Sequence, residues 1–215
     1  MRIRPVFGVL ALVAGTLAAT ATTATATTQA GEADLGSASF ARSGATVDIP
    51  ALAPCHVDSV DSASSDPVIL PGLTFGGGSD SCTRAVIDPD DNTTSTSSTV
   101  QGQNFELSAL TNVGGPRITI AQYQLSCTGT LGHTAANWGF SGLSGLAAPP
   151  SPVPVNYTQT ISSADGTPLA SAVFNIVDHP GDGATSLSML TITFAPASGM
   201  SGSVTVGHAE CTPTP

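Results

Sequence analysis

Four cysteines, Cys55, Cys82, Cys127 and Cys211, and four histidines, His56, His133, His179 and His208, are the side chains here with the most chemistry to offer. Together they invite a zinc reading, and their spacing argues against it. Structural zinc sites draw their ligands in close pairs such as Cys-x2-Cys or His-x3-His, whereas no two cysteines lie nearer than 27 residues. The tight mixed pairs are Cys55-His56 and His208-x2-Cys211, and both offsets are odd. On a strand an odd offset sends the two side chains to opposite faces. No metal ligand set is therefore expected from these residues, and no cofactor is implied.

An even number of widely spaced cysteines in an exported chain points instead to two disulfides. Three pairings are open. Cys55 with Cys82 closes a local loop, and Cys127 with Cys211 joins two segments of similar plan. "LSALT" (Leu107 to Thr111) leads through a Gly/Pro turn to a strand ending at Cys127, and "LSMLT" (Leu187 to Thr191) leads through a Gly-rich turn to a strand ending at Cys211. This pairing is the one expected.

Other reactive arrangements fare less well. "GFSGLSG" (Gly139 to Gly145) misses the Gly-x-Ser-x-Gly nucleophile elbow because Leu143 stands at the final glycine, so Ser141 and Ser144 read as turn or strand serines. Glu32, Glu106 and Glu210 are the only glutamates and most aspartates fall in turns, which leaves no evident carboxylate pair for glycosidic hydrolysis. No catalytic residue is nominated. Asp88, Asp90, Asp91 and Asn92 form a weak calcium candidate. They depart from an EF-hand loop, with Thr93 at the glycine position and Thr99 at the bidentate glutamate, and a solvated turn is the simpler reading. Trp138 and Phe140, two residues apart on one strand face, are candidate carbohydrate contacts, although a sole tryptophan is more often core. Asn92-Thr-Thr and Asn156-Tyr-Thr fit the N-glycosylation pattern, but the signal and composition are of bacterial type and the match is read as idle.

The elements that would position these residues read as strands. Aromatic residues make up 5% and charged residues 9%, while Gly (23) and Pro (16) punctuate a chain dominated by Ser, Thr, Ala and Val, so an all-β class is expected. Alternation of apolar and polar side chains marks Ala45 to Ile49, Arg117 to Cys127, Leu169 to Val177, Leu187 to Phe194 and Gly202 to Cys211. Two stretches read as long loops: polar Asp88 to Thr99, and proline-rich Leu146 to Val155, where prolines remove ladder donors and an extended edge or a bridge between sheets is expected. The expected product is a disulfide-stapled antiparallel β-sandwich over 31–215, as one domain or as two packed sub-sheets, 31–102 and 103–215.

At the front, Arg2 and Arg4 precede an apolar run from Val6 to Ala19 and a small-residue segment, the layout of a secretory signal peptide over 1–30. Cleavage fits after Ala26 or, by preference, after Ala30. The run of 14 residues is short of the roughly 20 a membrane span needs, so release without membrane insertion is expected. Cleavage removes Arg2 and Arg4 and leaves three arginines and no lysine against fifteen acids, moving the net charge from −10 to −12. Such a surface excludes nucleic acid and anionic membranes as partners. It fits an extracellular ligand or cell-surface component.

The run "FELSALTNVGGPRITIAQYQLSCT", then "GFSGLSGL", the proline-rich "PPSPVPVNYTQTI" and "HPGDGATSLSMLTITFAPASGMSGSVTVGHAEC" resembles the secreted actinobacterial proteins of the choice-of-anchor P family. The resemblance covers residues 104 to 212. It departs at "SMLTITF", where the family often has an Asn-Ala-x-His strand, and in the absence of a C-terminal anchor. It implies an extracellular or surface β domain of undefined role, with no catalytic residues to carry over. The expected function is accordingly non-catalytic, binding or structural. The alternative is a carbohydrate-binding or polysaccharide-hydrolysing domain.

Overall fold

The computed structural model describes residues 30–42 and 44–214, and the expected signal peptide lies outside them except for Ala30. The chain forms β1 (Gly31–Arg42), β2 (Ala45–Ile49), β3 (Cys55–His56), β4 (Ser62–Ser65), β5 (Val68–Leu70), β6 (Leu73–Phe75) and β7 (Gly78–Asp88). It continues through β8 (Thr93–Leu107), β9 (Ile118–Thr130), β10 (His133–Ser141), β11 (Tyr157–Ser162), β12 (Pro168–Asp178), β13 (Thr185–Phe194) and β14 (Met200–Cys211). Two antiparallel seven-stranded sheets pack face to face, an all-β sandwich as expected. In sheet one the order is β11-β12-β13-β14-β1-β2, with β3 also on β1; in sheet two it is β10-β9-β8-β6-β5, with β7 on β8 and β4 on β7.

The sheets do not divide the chain at 102/103. Sheet two is the continuous middle of the chain, and sheet one combines its two ends, because β1 pairs with β14 along its whole length from Gly31↔Cys211 to Arg42↔Met200. The polar stretch from Asp88 to Thr99 is also only partly a loop. Thr93 onward is strand, since Thr96 and Ser98 turn inward and their neighbours outward in regular alternation. Hydroxyl side chains on both faces hid this strand from a hydropathy pattern. The two Leu-Ser-x-Leu-Thr segments are likewise not equivalent. Leu107 ends β8 and Ala109–Val113 form a 3-10 turn capped by left-handed Gly114, whereas Leu187 to Thr191 lie within β13.

A transverse slip crosses each sheet. In sheet one the inward-facing set changes phase at Leu35/Gly36, Gly207 and Met189/Leu190: Ala33 and Leu35 precede Gly36, Ala38 and Phe40 on β1, and Val206 is followed inward by Ala209. The register survives because Leu35, Gly207, Met189 and Asn175 share one row, so each strand slips where its neighbours do. Gly207 (φ 68°) and Asn175 (φ 54°) adopt left-handed conformations there. A Cβ on Gly207 would come within 2.4 Å of Leu125 Cδ1. Glycine is required there by its backbone and by its neighbour alike. Sheet two slips along Asn104 (φ 49°) and Ala121, next to Gly142 (φ 67°).

The two disulfides, Cys55–Cys82 and Cys127–Cys211, each tie sheet one to sheet two. Cys82, Ser98 and Cys127 share one row of sheet two. The cysteine Cα atoms are 5.6 and 5.4 Å apart, within the usual range for a disulfide. Small residues allow close packing at this end: a Cβ on Gly31 would lie 2.6 Å from Ser98 Oγ, and one on Gly129 would meet the Thr212 carbonyl. Beyond the slip the core holds Phe40, Phe75, Phe105, Phe174 and Phe194. Buried Tyr123 bridges the sheets, donating its hydroxyl to the Leu35 carbonyl at 2.8 Å.

The loops closed by these bonds differ, with sequence separations of 27 and 84. Loop entropy predicts that C55S/C82S loses about 3.5 kcal/mol of unfolding free energy and C127S/C211S about 4.5 kcal/mol. Guanidinium titration of the two double variants checks both the losses and their order.

Candidate functional site

The acidic calcium candidates sit at the tip of the β7–β8 hairpin. Asp88 Oδ1 accepts the Asp90 backbone N–H at 3.0 Å, which closes the turn, and Asn92 takes a left-handed φ of 53°. Their carboxylates do not converge; among the described residues the one group of three ligand-bearing side chains drawn together is elsewhere, at Glu32, His208 and Glu210.

Trp138 and Phe140 share a face of β10 as expected, stacked with centroids 5.8 Å apart. That face points into the sandwich, where Phe140 reaches Phe174 at 6.1 Å. Both rings are half-buried and line a groove of about 730 Å³ at the open side of the sandwich, between β10, sheet one and the proline-rich segment Pro149 to Val153. Asn175 organises it. Its Oδ1 accepts the Trp138 indole N–H at 2.9 Å, its Nδ2 donates to the Val153 carbonyl at 3.0 Å, and its own carbonyl accepts from Asn156 N–H at 2.9 Å. Ser141 is exposed, and Ser144 exchanges a 2.8 Å hydroxyl contact with Thr119 that ties its loop to β9.

A second depression, about 610 Å³, lies on the outer face of sheet two. Cross-strand pairs Gln101↔Gln124 and Gln103↔Gln122 form its floor, with Ser79 and Ser141 on the flanking strands. The polar surface continues along the strands through Ser81–Thr99–Ser126–Asn137 and Thr83–Ser97–Thr128–Ala135. These rows contain no ionisable side chain. The sheet can therefore present amide and hydroxyl groups to a ligand without desolvating a charge.

Sheet one carries charge on its outer face, directly over the disulfide end. Glu32↔Glu210 and Asp34↔His208 are cross-strand pairs of β1 and β14, and His56 of β3 pairs with Glu32. Glu32 is central: Oε1 is 3.4 Å from His208 Nε2 and Oε2 is 3.5 Å from His56 Nδ1. Ser188 Oγ contacts the other imidazole nitrogen of His208, Nδ1, at 3.2 Å. The His208 contact holds the Glu32 carboxyl below its ordinary range, whereas burial, and then the neighbouring Glu32, raises Glu210. Burial works against the charged form of His208, but the Glu32 contact and the surrounding carboxylates outweigh it and raise its pKa. Sequence spacing could not reveal this group, because residues 32, 56, 208 and 210 meet only through strand pairing. The phase slips at Gly36 and Gly207 are what turn these side chains outward.

Asp80 is the other group the sequence did not single out. It is 2% exposed, faces the core from β7, and neither carboxylate oxygen has a hydrogen-bond partner. Burial, reinforced by Asp34, pushes its pKa up to about 8.

Two predictions follow from these contacts. The unfolded chain holds Asp80 near pKa 3.9 and the fold near 8. Between those values the folded state binds the extra proton, so stability falls as pH rises from about 4 to about 8 and then levels. Asp80→Asn is expected to flatten that decline and to add about 2 to 4 kcal/mol at pH 7, read from urea titrations across the pH range. Asn175→Ala removes two side-chain hydrogen bonds at a left-handed residue, an expected loss of about 2 to 3 kcal/mol, together with a red-shifted emission from Trp138. Asn175→Gly is expected to recover the backbone share only. No protein-family model, curated protein or solved structure matches the chain.

Proposed function

We propose that the chain is a secreted, non-catalytic extracellular domain that works by binding a hydroxyl-rich polymer, a polysaccharide of its own cell surface or surroundings. The observation that carries this reading is the uncharged stretch of the outer face of sheet two, where the paired glutamines Gln101, Gln103, Gln122 and Gln124 form a trough lengthened by rows of Ser, Thr and Asn. Side-chain amides present donors and acceptors together, the pairing that sugar hydroxyls require. Two disulfides between the sheets support an oxidising destination. Among the described residues, no helix is long and apolar enough to cross a membrane. The same destination is implied by the signal-peptide layout at residues 1–30 and by the resemblance to the choice-of-anchor P family.

Binding is expected at the glutamine trough, because the rings of Trp138 and Phe140 face inward and the indole N–H is already bonded to Asn175. The test is co-sedimentation of the purified protein with a panel of insoluble cell-wall and plant polysaccharides. Retention by at least one of them, lost in Gln101→Ala/Gln124→Ala and kept in Trp138→Phe, is the expected result. Retention insensitive to the glutamines, or none across the panel, contradicts the reading. Release of sugar during incubation would show a hydrolase instead.

A further inference from the structure

We propose that Glu32, His208 and Glu210 form a binding site for a divalent transition metal, zinc by preference, on the outer face of sheet one. The three side chains offer ligand atoms within 4.8 Å of one another. His208 Nε2 and Glu32 Oε1 stand 3.4 Å apart, long for a charge-assisted hydrogen bond, which closes to about 2.7–2.9 Å. That separation is instead the edge of a tetrahedron whose centre lies about 2.1 Å from each ligand, the geometry of zinc bound by imidazole and carboxylate.

The groups around the three ligands fit the same reading. Ser188 Oγ lies 3.2 Å from Nδ1 of His208, and when the hydroxyl oxygen accepts the Nδ1 proton the Nε2 lone pair is free to bind a metal beside the Glu32 carboxylate. In that tautomer a metal ion takes the place between Nε2 and the Glu32 carboxylate that a proton otherwise fills. His56 Nδ1 is fully buried as an atom and has no hydrogen-bond partner, and it lies 3.5 Å from the second oxygen of Glu32. It would hold that carboxylate in place as an outer partner of the metal.

Charge supplies an independent reason. Glu32, Asp34 and Glu210 crowd one end of the face, yet among the described residues no arginine reaches them. Arg84 is committed to Asp58 at 2.6 Å, Arg117 to Glu106 at 2.8 Å, and Arg42 lies at the opposite end of β1. The mixed nitrogen and oxygen ligand set favours zinc and its neighbours over calcium or magnesium, which take oxygen alone. The backbone is also held in advance of binding. Cys55 precedes His56 and Cys211 follows Glu210, so both disulfides anchor strands that carry this group. A metal there would cross-link β1 to β14, with its remaining position open to solvent on a face of partly exposed side chains.

This site is separate from the glutamine trough and stands or falls independently of it. Chelator-treated protein with both disulfides intact is titrated with zinc chloride in a calorimeter, and its melting temperature is followed with and without the ion. One equivalent should bind with a dissociation constant below about 10 µM and raise the melting temperature. Glu32→Gln and His208→Asn should each weaken binding by at least about tenfold and remove the thermal shift. His133→Asn, on exposed β10, should change neither; Glu210→Gln serves in place of either variant that fails to fold. Absence of saturable binding, equal binding by the Glu32 and His208 variants, or loss of binding in His133→Asn would overturn the site.

Discussion

The disulfide-bonded end of the sandwich governs most of what lies elsewhere. Two disulfides, with cysteine Cα separations of 5.6 and 5.4 Å, tie the sheets covalently there. Gly31 and Gly129 allow close approach at this end, to Ser98 and to the Thr212 carbonyl, and the buried phenylalanines Phe40, Phe75, Phe105, Phe174 and Phe194 lie beyond the slip rows. A sandwich with few aromatic residues has limited apolar volume to bury, and covalent bonds between the sheets add to what its core supplies.

The slip rows reconcile that disulfide-bonded end with continuous strands. Without the left-handed turn at Gly207, alternation from Val204 and Val206 would carry His208 inward and Cys211 outward, and the terminal disulfide could not form. One residue on each strand therefore decides both which cysteine reaches its partner and which acids line the outer face. Because neighbouring strands slip on a common row, hydrogen bonding resumes in register on either side. The same device in sheet two, at Asn104 and Ala121, turns the four glutamines outward on both sides of Gly102.

Strand content, the disulfide pairing and the opposition of His208 to Cys211 were legible because each depends on local periodicity or on loop length. Ala45 to Ile49 coincides with β2. β1 and the first half of β8 were not legible: Glu32, Asp34 and Gly36 interrupt one, and uninterrupted Ser and Thr remove the polarity contrast from the other. The division into sheets could not be read either, since joining β1 to β14 is a contact between the two ends of the described chain. The charged group on sheet one was hidden for the same reason. Spacing rules for metal ligands assume that ligands come from one hairpin or helix, and strand pairing across 178 positions, as between Glu32 and Glu210, lies outside what such rules test.

The distribution of charge follows from these constraints. With fifteen acids and three arginines beyond residue 30, carboxylates cannot be neutralised one by one, and burying any of them is costly. Asp80 is the exception inside, and burial raises its pKa so that it stays protonated near neutral pH. Outside, the carboxylates are segregated. Glu32, Asp34 and Glu210 of sheet one collect over the disulfide end, where histidines are the neighbouring groups able to carry positive charge, whereas the glutamine rows of sheet two present amides and hydroxyls and Glu106 on that face is paired with Arg117. The two outer faces thus offer different chemistries: one suits a compact cation held by a few converging ligands, the other a long neutral ligand held by many repeated hydrogen bonds.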